Sequence, residues 1–261
     1  MYRSFTIKNF RCFRDLMLEP LERVNLITGK NNVGKTALLE AVFLHLGVNN
    51  PSLPLQVTAA VRGIEQRVVD AGETLGWLFF DRRVKETIEL VGLEADNTTR
   101  RLNVRFVKSE IAQVSSVTDT LTTVAALRDL QLEYQDTNGQ RATTRVRADG
   151  ATVTTRAGEV SLPLGIYLST RARSLKEDAE RFSNLERVGR QEMVLPALQL
   201  LEPRLRRLAV LITGGAPIIN GDIGIAELIP LPLMGEGMVR LLSILLAIAN
   251  APGGVVLVDE I

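Results

Sequence analysis

The sequence predicts an α/β domain with a mainly parallel core sheet, an inserted antiparallel β-subdomain and a helical subdomain. Three observations carry this. A short apolar run, Val24 to Thr28, passes through a glycine-bearing loop into a stretch of good helix formers, Ala37 to Leu46. A second apolar run, Val255 to Val258, ends in two adjacent acids, Asp259 and Glu260. The first run is readable as a buried strand, and the unbroken second run suits a strand buried on both faces of a parallel sheet. Between them, from Glu86 to Leu162, Thr, Val and Arg recur with period two, the pattern of antiparallel strands with one wet face.

Bulk composition sets limits. The 261 residues suit one large domain or two small ones. Lys and Arg number 31 against 30 Asp and Glu, so the net charge is +1 and no global field draws the chain to nucleic acid or anionic lipid. Any such binding has to use a local patch. A single cysteine, Cys12, excludes an intrachain disulfide and suits a reducing compartment. A single histidine, His45, leaves no material for a histidine-rich zinc site or a Ser-His-Asp triad beyond its own helix. The opening "MYRSFTIKNF" lacks the apolar core of a signal peptide. Leu241 to Val258 is uncharged and approaches spanning length, but "NAPGG" at 250–254 divides it into a helix, a tight loop and a strand. The expectation is no membrane partner and a cytoplasmic location.

Taken in order, the chain opens with a strand, the segment Asn9-Phe10-Arg11-x-Phe13 and a second strand. Cys12 reads as a small apolar filler beside Phe10 and Phe13. Then Gly29-Lys30-Asn31-Asn32-Val33-Gly34-Lys35-Thr36 fits G-x-x-x-x-G-K-[ST], between a predicted strand and a helix that Gly47 is placed to stop. The spacing has a chemical reason. Gly29 and Gly34 let the backbone curl so that N–H groups converge on one phosphate, and the helix adds its positive N-terminal end. Lys35 reaches the β- and γ-phosphates and the Thr36 hydroxyl ligates Mg2+. Asn31, Asn32, Val33 and Ala37 complete the expected nucleotide-binding set. The bland alternative, a chance match in a glycine turn, loses to the flanking elements. His45 reads as a surface or edge position on the helix.

Residues 57–83 read as helical pieces with Trp77, Phe79 and Phe80 as apolar anchors. In the alternating region, Asn138-Gly139 between two strand-like runs signals a hairpin. Arg100, Arg101, Arg105, Arg141, Arg145 and Arg147 could form a nucleic-acid-facing stripe, but near-zero net charge favours a solvated face. Residues 171–208 read as helix. Glu177, Asp178 and Glu180 there form a candidate metal cluster, with an unshielded solvated face as the stronger account. Arg171 and Arg173, after the strand-like "GIYLST", are candidate phosphate sensors. Finally Gly235-Glu236-Gly237 opens an apolar helix, Met238 to Ala249, before the last strand. Asp259 is placed to meet magnesium and Glu260 to polarise the attacking water.

This order of parts resembles the ABC-type P-loop NTPases of the SMC, RecF and OLD branch. "FTIKNFRCFRDLMLEPLERVNLITGKNNVGKTALLEAVF" is similar to the start of RecF- and OLD-type ATPases, and "YLSTRARS" and "LIPLPLMGEGMVRLL" to OLD-family ATPases in particular. Residues 50–160 match loosely. The resemblance implies an ABC-ATPase-like head that binds ATP and Mg2+, with "LMGEG" (Leu233 to Gly237) as a signature-like segment facing the γ-phosphate of a second subunit. It departs from L-S-G-G-[QE]: Met234 stands for the serine and Glu236 for a glycine. It also implies a homodimer closing on nucleotide, a DNA or nuclease partner, and a role in DNA maintenance or phage defence. Three parts are expected: 1–50, with the first strands, phosphate loop and first helix; 51–165, the inserted helical and antiparallel β-subdomain; and 166–261, with the signature-like helix and Walker B strand. Because the family continues past this strand, often into a Toprim nuclease domain, the chain reads as an ATPase head cut off at its active site: a truncated reading frame, a partial record of a longer protein, or one half of a split protein. An ATP-hydrolysing head and a nucleotide-binding module that needs a partner for turnover are both open. A small GTPase is weaker, since the sequence has no N-K-x-D base-reading motif.

Overall fold

A computed structural model describes residues 2–59, 71–108, 128–147, 160–169 and 174–260. The chain divides into two compact units, Met1–Pro163 and Leu164–Ile261.

The first unit is built on a six-stranded antiparallel sheet in the order β2-β1-β3-β4-β5-β6. Its strands are β1 (Tyr2–Phe10), β2 (Phe13–Leu18), β3 (Ile88–Glu94), β4 (Thr99–Lys108), β5 (Arg128–Asp136) and β6 (Arg141–Val146). The period-two pattern is realised directly. Phe5, Ile7, Ile88, Leu90, Leu102, Val104, Leu130, Leu132 and Tyr134 are buried on one face, each about 1.5–3 kcal/mol of burial for an aliphatic or phenyl side chain. Helix α1 (Lys35–Leu46) covers that face: its His45 packs edge-on to Phe5, and Thr144 Oγ1 of β6 donates to the Val48 carbonyl just beyond the helix. The expected hairpin lies at Asn138-Gly139, where Asp136 Oδ1 accepts the Asn138 and Gln140 N–H groups and Gly139 takes φ 84°. The antiparallel sheet is therefore no separate insert at 51–165: β1 pairs with β3 from Tyr2↔Glu94 to Lys8↔Glu89, joining the N-terminal strands to it.

Short helices α2 (Leu53–Ala59) and α3 (Ala71–Gly76) and a 3₁₀ turn (Phe80–Arg82) follow α1. Phe79 is buried as expected. Trp77 is not an anchor: it is 53% exposed, with the Arg82 guanidinium 4.7 Å over its ring.

The second unit has a two-stranded parallel sheet of β7 (Gly165–Leu168) and β11 (Val255–Val258), and an antiparallel sheet β10-β9-β8. The latter comprises β8 (Arg207–Thr213), β9 (Ala216–Asp222) and β10 (Ile229–Pro230). Helices α4 (Leu175–Arg187), α5 (Leu195–Leu198) and α6 (Glu236–Asn250) complete it. Ser174 caps α4 by accepting the Glu177 N–H. Phe182, Leu185, Leu208, Ile219, Met238, Leu242 and Leu246 form one core between α4, α6 and the β8–β9 hairpin. The expected helix over 171–208 thus ends early. "RLAVLIT" becomes β8 because Gly214 and Gly215, both at positive φ, turn it back onto "APIINGD". Among the described residues, parallel pairing is confined to β7 and β11, so the mainly parallel core sheet is not seen.

Candidate functional site

The phosphate loop has the expected backbone but not the expected strand before it. Val24 to Thr28 form no strand, and no described strand pairs with them. Val24 is 84% and Leu26 75% exposed. An apolar run becomes a buried strand only when neighbours satisfy its N–H and C=O groups, and hydropathy does not supply them.

The loop itself curls through positive φ at Gly29 (155°), Asn32 (65°) and Gly34 (104°). At Gly34 glycine is required twice over. Its φ disfavours any L side chain, and an added Cβ would come within 2.6 Å of Cys12 Sγ and 2.8 Å of Phe13 Cζ. Cys12 is therefore not an apolar filler: it is exposed, on the β1–β2 turn, against the phosphate loop. Gly34 also begins α1 with no side-chain cap and no acid in the first turn. The helix N-terminus is thus left open to an anion, with its orphan N–H groups and positive dipole end.

Lys35 Nζ donates to the Gly29 carbonyl at 2.9 Å and the Lys30 carbonyl at 2.8 Å, folding the ammonium over the loop. Thr36 is half-buried in the first turn, Asn31, Asn32 and Val33 are exposed along the rim, and Ala37 is buried beneath. A lysine ammonium, a hydroxyl and an uncapped helix end suit a phosphate with a hard cation.

Two buried polar contacts hold α1. Arg11, at φ 54°, places a nearly buried guanidinium against the fully buried Glu40 of α1, Nε to Oε2 3.1 Å. It also donates to the Trp77 carbonyl at 3.1 Å and the Val57 carbonyl at 3.4 Å. His45 is no surface residue. It is completely buried, with the Tyr2 hydroxyl 2.7 Å from Nδ1 and the Arg100 carbonyl 3.1 Å from Nε2. A carbonyl only accepts, so Nε2 carries the proton and Nδ1 accepts from Tyr2. Burial holds the imidazole pKa down at about 4 and pushes the Tyr2 phenol up, with Glu94 adding to the rise.

In the second unit the candidate acids stand at the end of β11. Asp259 N–H continues the ladder to the Leu168 carbonyl at 3.0 Å. The Tyr167 hydroxyl donates to Asp259 Oδ2 at 3.2 Å, and Glu260 is exposed at φ 60°. Gly235, at φ 112°, precedes α6 as its N-cap, and exposed Glu236 and Gly237 form the helix start with no side-chain cap.

The remaining candidates divide. Asp178 is not on an unshielded face. It is buried, accepts from the Ser243 hydroxyl, and pairs with Arg181 at 3.2 Å. Burial raises its pKa, opposed by Ser243 and Arg181. Among the described residues no group of His, Cys, Asp and Glu is placed to hold a metal by itself. Arg100 leaves the stripe for the inner face, where Nε meets Glu94 at 2.9 Å. On the outer face Arg101 pairs with Glu89 and Arg105 with Glu133. Arg171 and Arg173 lie outside the described residues. Among the described residues no helix is long and apolar enough to cross a membrane.

A glycine loop opening an uncapped helix, with lysine and threonine at its first two positions, has its counterpart in a known family. The AAA domain family matches residues 4–192. The chain belongs to the AAA domain family. The matched span takes in the phosphate loop of this P-loop ATPase domain and ends before Gly235 and Asp259. Relatives of the AAA domain described here include an ATP/GTP phosphatase of Helicobacter pylori, 30% identical over 114 residues. That match covers 44% of this chain and 30% of the relative. A DNA replication and repair protein RecF of Nitrosococcus oceani is 38% identical over 72 residues, 27% of this chain and 20% of the relative. A second RecF, of Idiomarina loihiensis, is 44% identical over 41 residues, 16% of this chain and 12% of the relative. The chain thus spans less than a third of each of these relatives.

Proposed function

We propose that this AAA domain is an ATP-binding and ATP-hydrolysing head of OLD/RecF type, working with Mg2+ as a nucleotide-gated homodimer in DNA maintenance or phage defence. The observation that carries the nucleotide reading is the phosphate loop. Lys35 already sits over the loop on two carbonyls, and the start of α1 is uncapped. The relatives named for ATP/GTP phosphatase activity and for DNA replication and repair support the wider role.

In the proposed reaction Lys35 leaves the Gly29 and Lys30 carbonyls for the β- and γ-phosphates. The loop N–H groups from Asn31 to Ala37 surround the β-phosphate. Thr36 and Asp259 would hold Mg2+, which supplies positive charge to the phosphate oxygens. Glu260 accepts a proton as water oxygen bonds to the γ-phosphorus, and the bond to the β–γ bridging oxygen breaks, giving ADP and phosphate. The uncapped start of α6 at Gly235, Glu236 and Gly237 would face the γ-phosphate of the partner copy.

Lys35→Ala is expected to weaken binding of a fluorescent ATP analogue by about 10- to 100-fold, as befits a charge-assisted phosphate contact. The melting temperature should change little. Unchanged binding removes the phosphate-loop assignment. Glu260→Gln is expected to keep binding and abolish turnover, since an amide cannot take the proton. Binding with no turnover in the unsubstituted chain would favour the alternative of a nucleotide-binding module completed by a partner.

A further inference from the structure

An acid at a strand end is useful to a cation only if both its carboxylate and its backbone are held. β7 and β11 run parallel with Leu257 opposite Tyr167. Side chains alternate along a strand, so Asp259 shares the face of Leu257 and hence of Tyr167. A tyrosine is long enough to reach its diagonal neighbour, and its hydroxyl donates to Asp259 Oδ2 at 3.2 Å. That contact fixes the rotation of the carboxylate. From α6, Arg240 Nη2 donates to the Asp259 carbonyl at 2.8 Å and to the Glu260 carbonyl as well. One planar guanidinium thus holds two successive carbonyls, including that of Glu260 in a left-handed conformation that a non-glycine residue rarely adopts. Arg240 lies one helical turn from Gly237.

We infer that Tyr167 and Arg240 are positioning residues for the acidic corner. Tyr167 sets the orientation in which the Asp259 carboxylate meets Mg2+. Arg240 ties the Asp259–Glu260 backbone to the start of α6, so that a shift of the Gly235–Gly237 segment moves the proton acceptor. The inference rests on the roles proposed above for Asp259 and Glu260.

The test is a Mg2+ titration of the full chain with a fluorescent non-hydrolysable ATP analogue, alongside analogue binding in EDTA and thermal melts without nucleotide. Tyr167→Phe removes one hydroxyl and keeps the ring. It is expected to raise the Mg2+ midpoint about three- to tenfold, less than the full worth of a hydrogen bond to a charged group because the hydroxyl orients the carboxylate and does not itself bind the cation, with EDTA binding and the melting temperature unchanged. Arg240→Gln is expected to raise the midpoint similarly, and Arg240→Lys to restore part of it, since an ammonium is a point donor and not a fork. A merely structural role would lower the melting temperature of these variants and leave the midpoint alone, which overturns the inference. If Asp259→Asn shifts the midpoint while Tyr167→Phe and Arg240→Gln match the unsubstituted chain, the inference fails and the site reading stands. If the unsubstituted chain has no Mg2+-dependent binding, or Asp259→Asn does not change it, the site reading fails and this inference with it.

Discussion

At the residue scale, the position of His45 has a measurable consequence. Its folded pKa, about 4, lies below the model-peptide value of 6.5, so the folded protein binds fewer protons than the unfolded chain between those limits. Stability from this group is complete above pH 6.5 and is lost as pH falls through 4, up to about 3 kcal/mol for a shift of this size. Chemical denaturation of the unsubstituted chain and His45→Gln at pH 7.5 and 5 checks this. Asp178 has a raised pKa and so opposes the trend, which makes the difference between the two proteins the relevant quantity. The destabilisation between pH 7.5 and 5 should be smaller in His45→Gln, and an identical pH dependence would mean that the imidazole is not held neutral. Gly34 offers a second test. Gly34→Ala places a methyl in contact with Cys12 and Phe13 at a φ that alanine avoids, so it should cost about 1–3 kcal/mol and lose nucleotide binding. Retained stability and binding would mean that the loop has another conformation.

At the element scale, α1 is the part on which the proposed chemistry depends, and the buried Arg11–Glu40 pair fastens it. Removing one partner of a buried pair strands the other charge, at about 3–5 kcal/mol. Glu40→Ala should therefore unfold the first unit at lower denaturant than Glu40→Ala combined with Arg11→Met, which strands no charge. A double variant less stable by the sum of both changes would show that the pair is not coupled. The β1–β2 turn thus serves two contacts. Arg11 grips the helix, and Cys12 and Phe13 line Gly34. This gives a physical account of why Asn9-Phe10-Arg11-x-Phe13 precedes a phosphate loop in this chain.

At the scale of the whole molecule, the proposed homodimer has a mass that sedimentation can check. A nucleotide sandwich predicts that Glu260→Gln, with ATP and Mg2+, sediments at twice the protomer mass, since bound nucleotide persists when turnover stops. Lys35→Ala under the same conditions should sediment at the mass seen without nucleotide. Equal masses for Glu260→Gln with and without nucleotide would remove the homodimer from the proposal. The outer sheet face bears on partners too. Glu89 and Glu133 offset Arg101 and Arg105 there, which leaves less free positive charge for phosphate backbones than the arginine pattern alone suggested.

The sequence by itself determined the local chemistry. Gly29 to Thr36 could be read because glycine freedom, a lysine and a hydroxyl at fixed spacing have few other uses, and Asn138-Gly139 because a tight hairpin needs positive φ. The strand that Asp259 and Glu260 close was legible from the apolar run Val255 to Val258. Only the tertiary structure decided what those residues touch. Cys12 and Gly34 are 22 positions apart in sequence, and composition gives no sign of their approach. His45 has a polar side chain, yet it is buried because Tyr2 and the Arg100 carbonyl satisfy both nitrogens. Val24 to Thr28 look like a buried strand, yet they are exposed because strand formation belongs to the pair and not to the run. Periodicity and spacing act along the chain, whereas burial and pairing depend on partners that the chain brings from elsewhere.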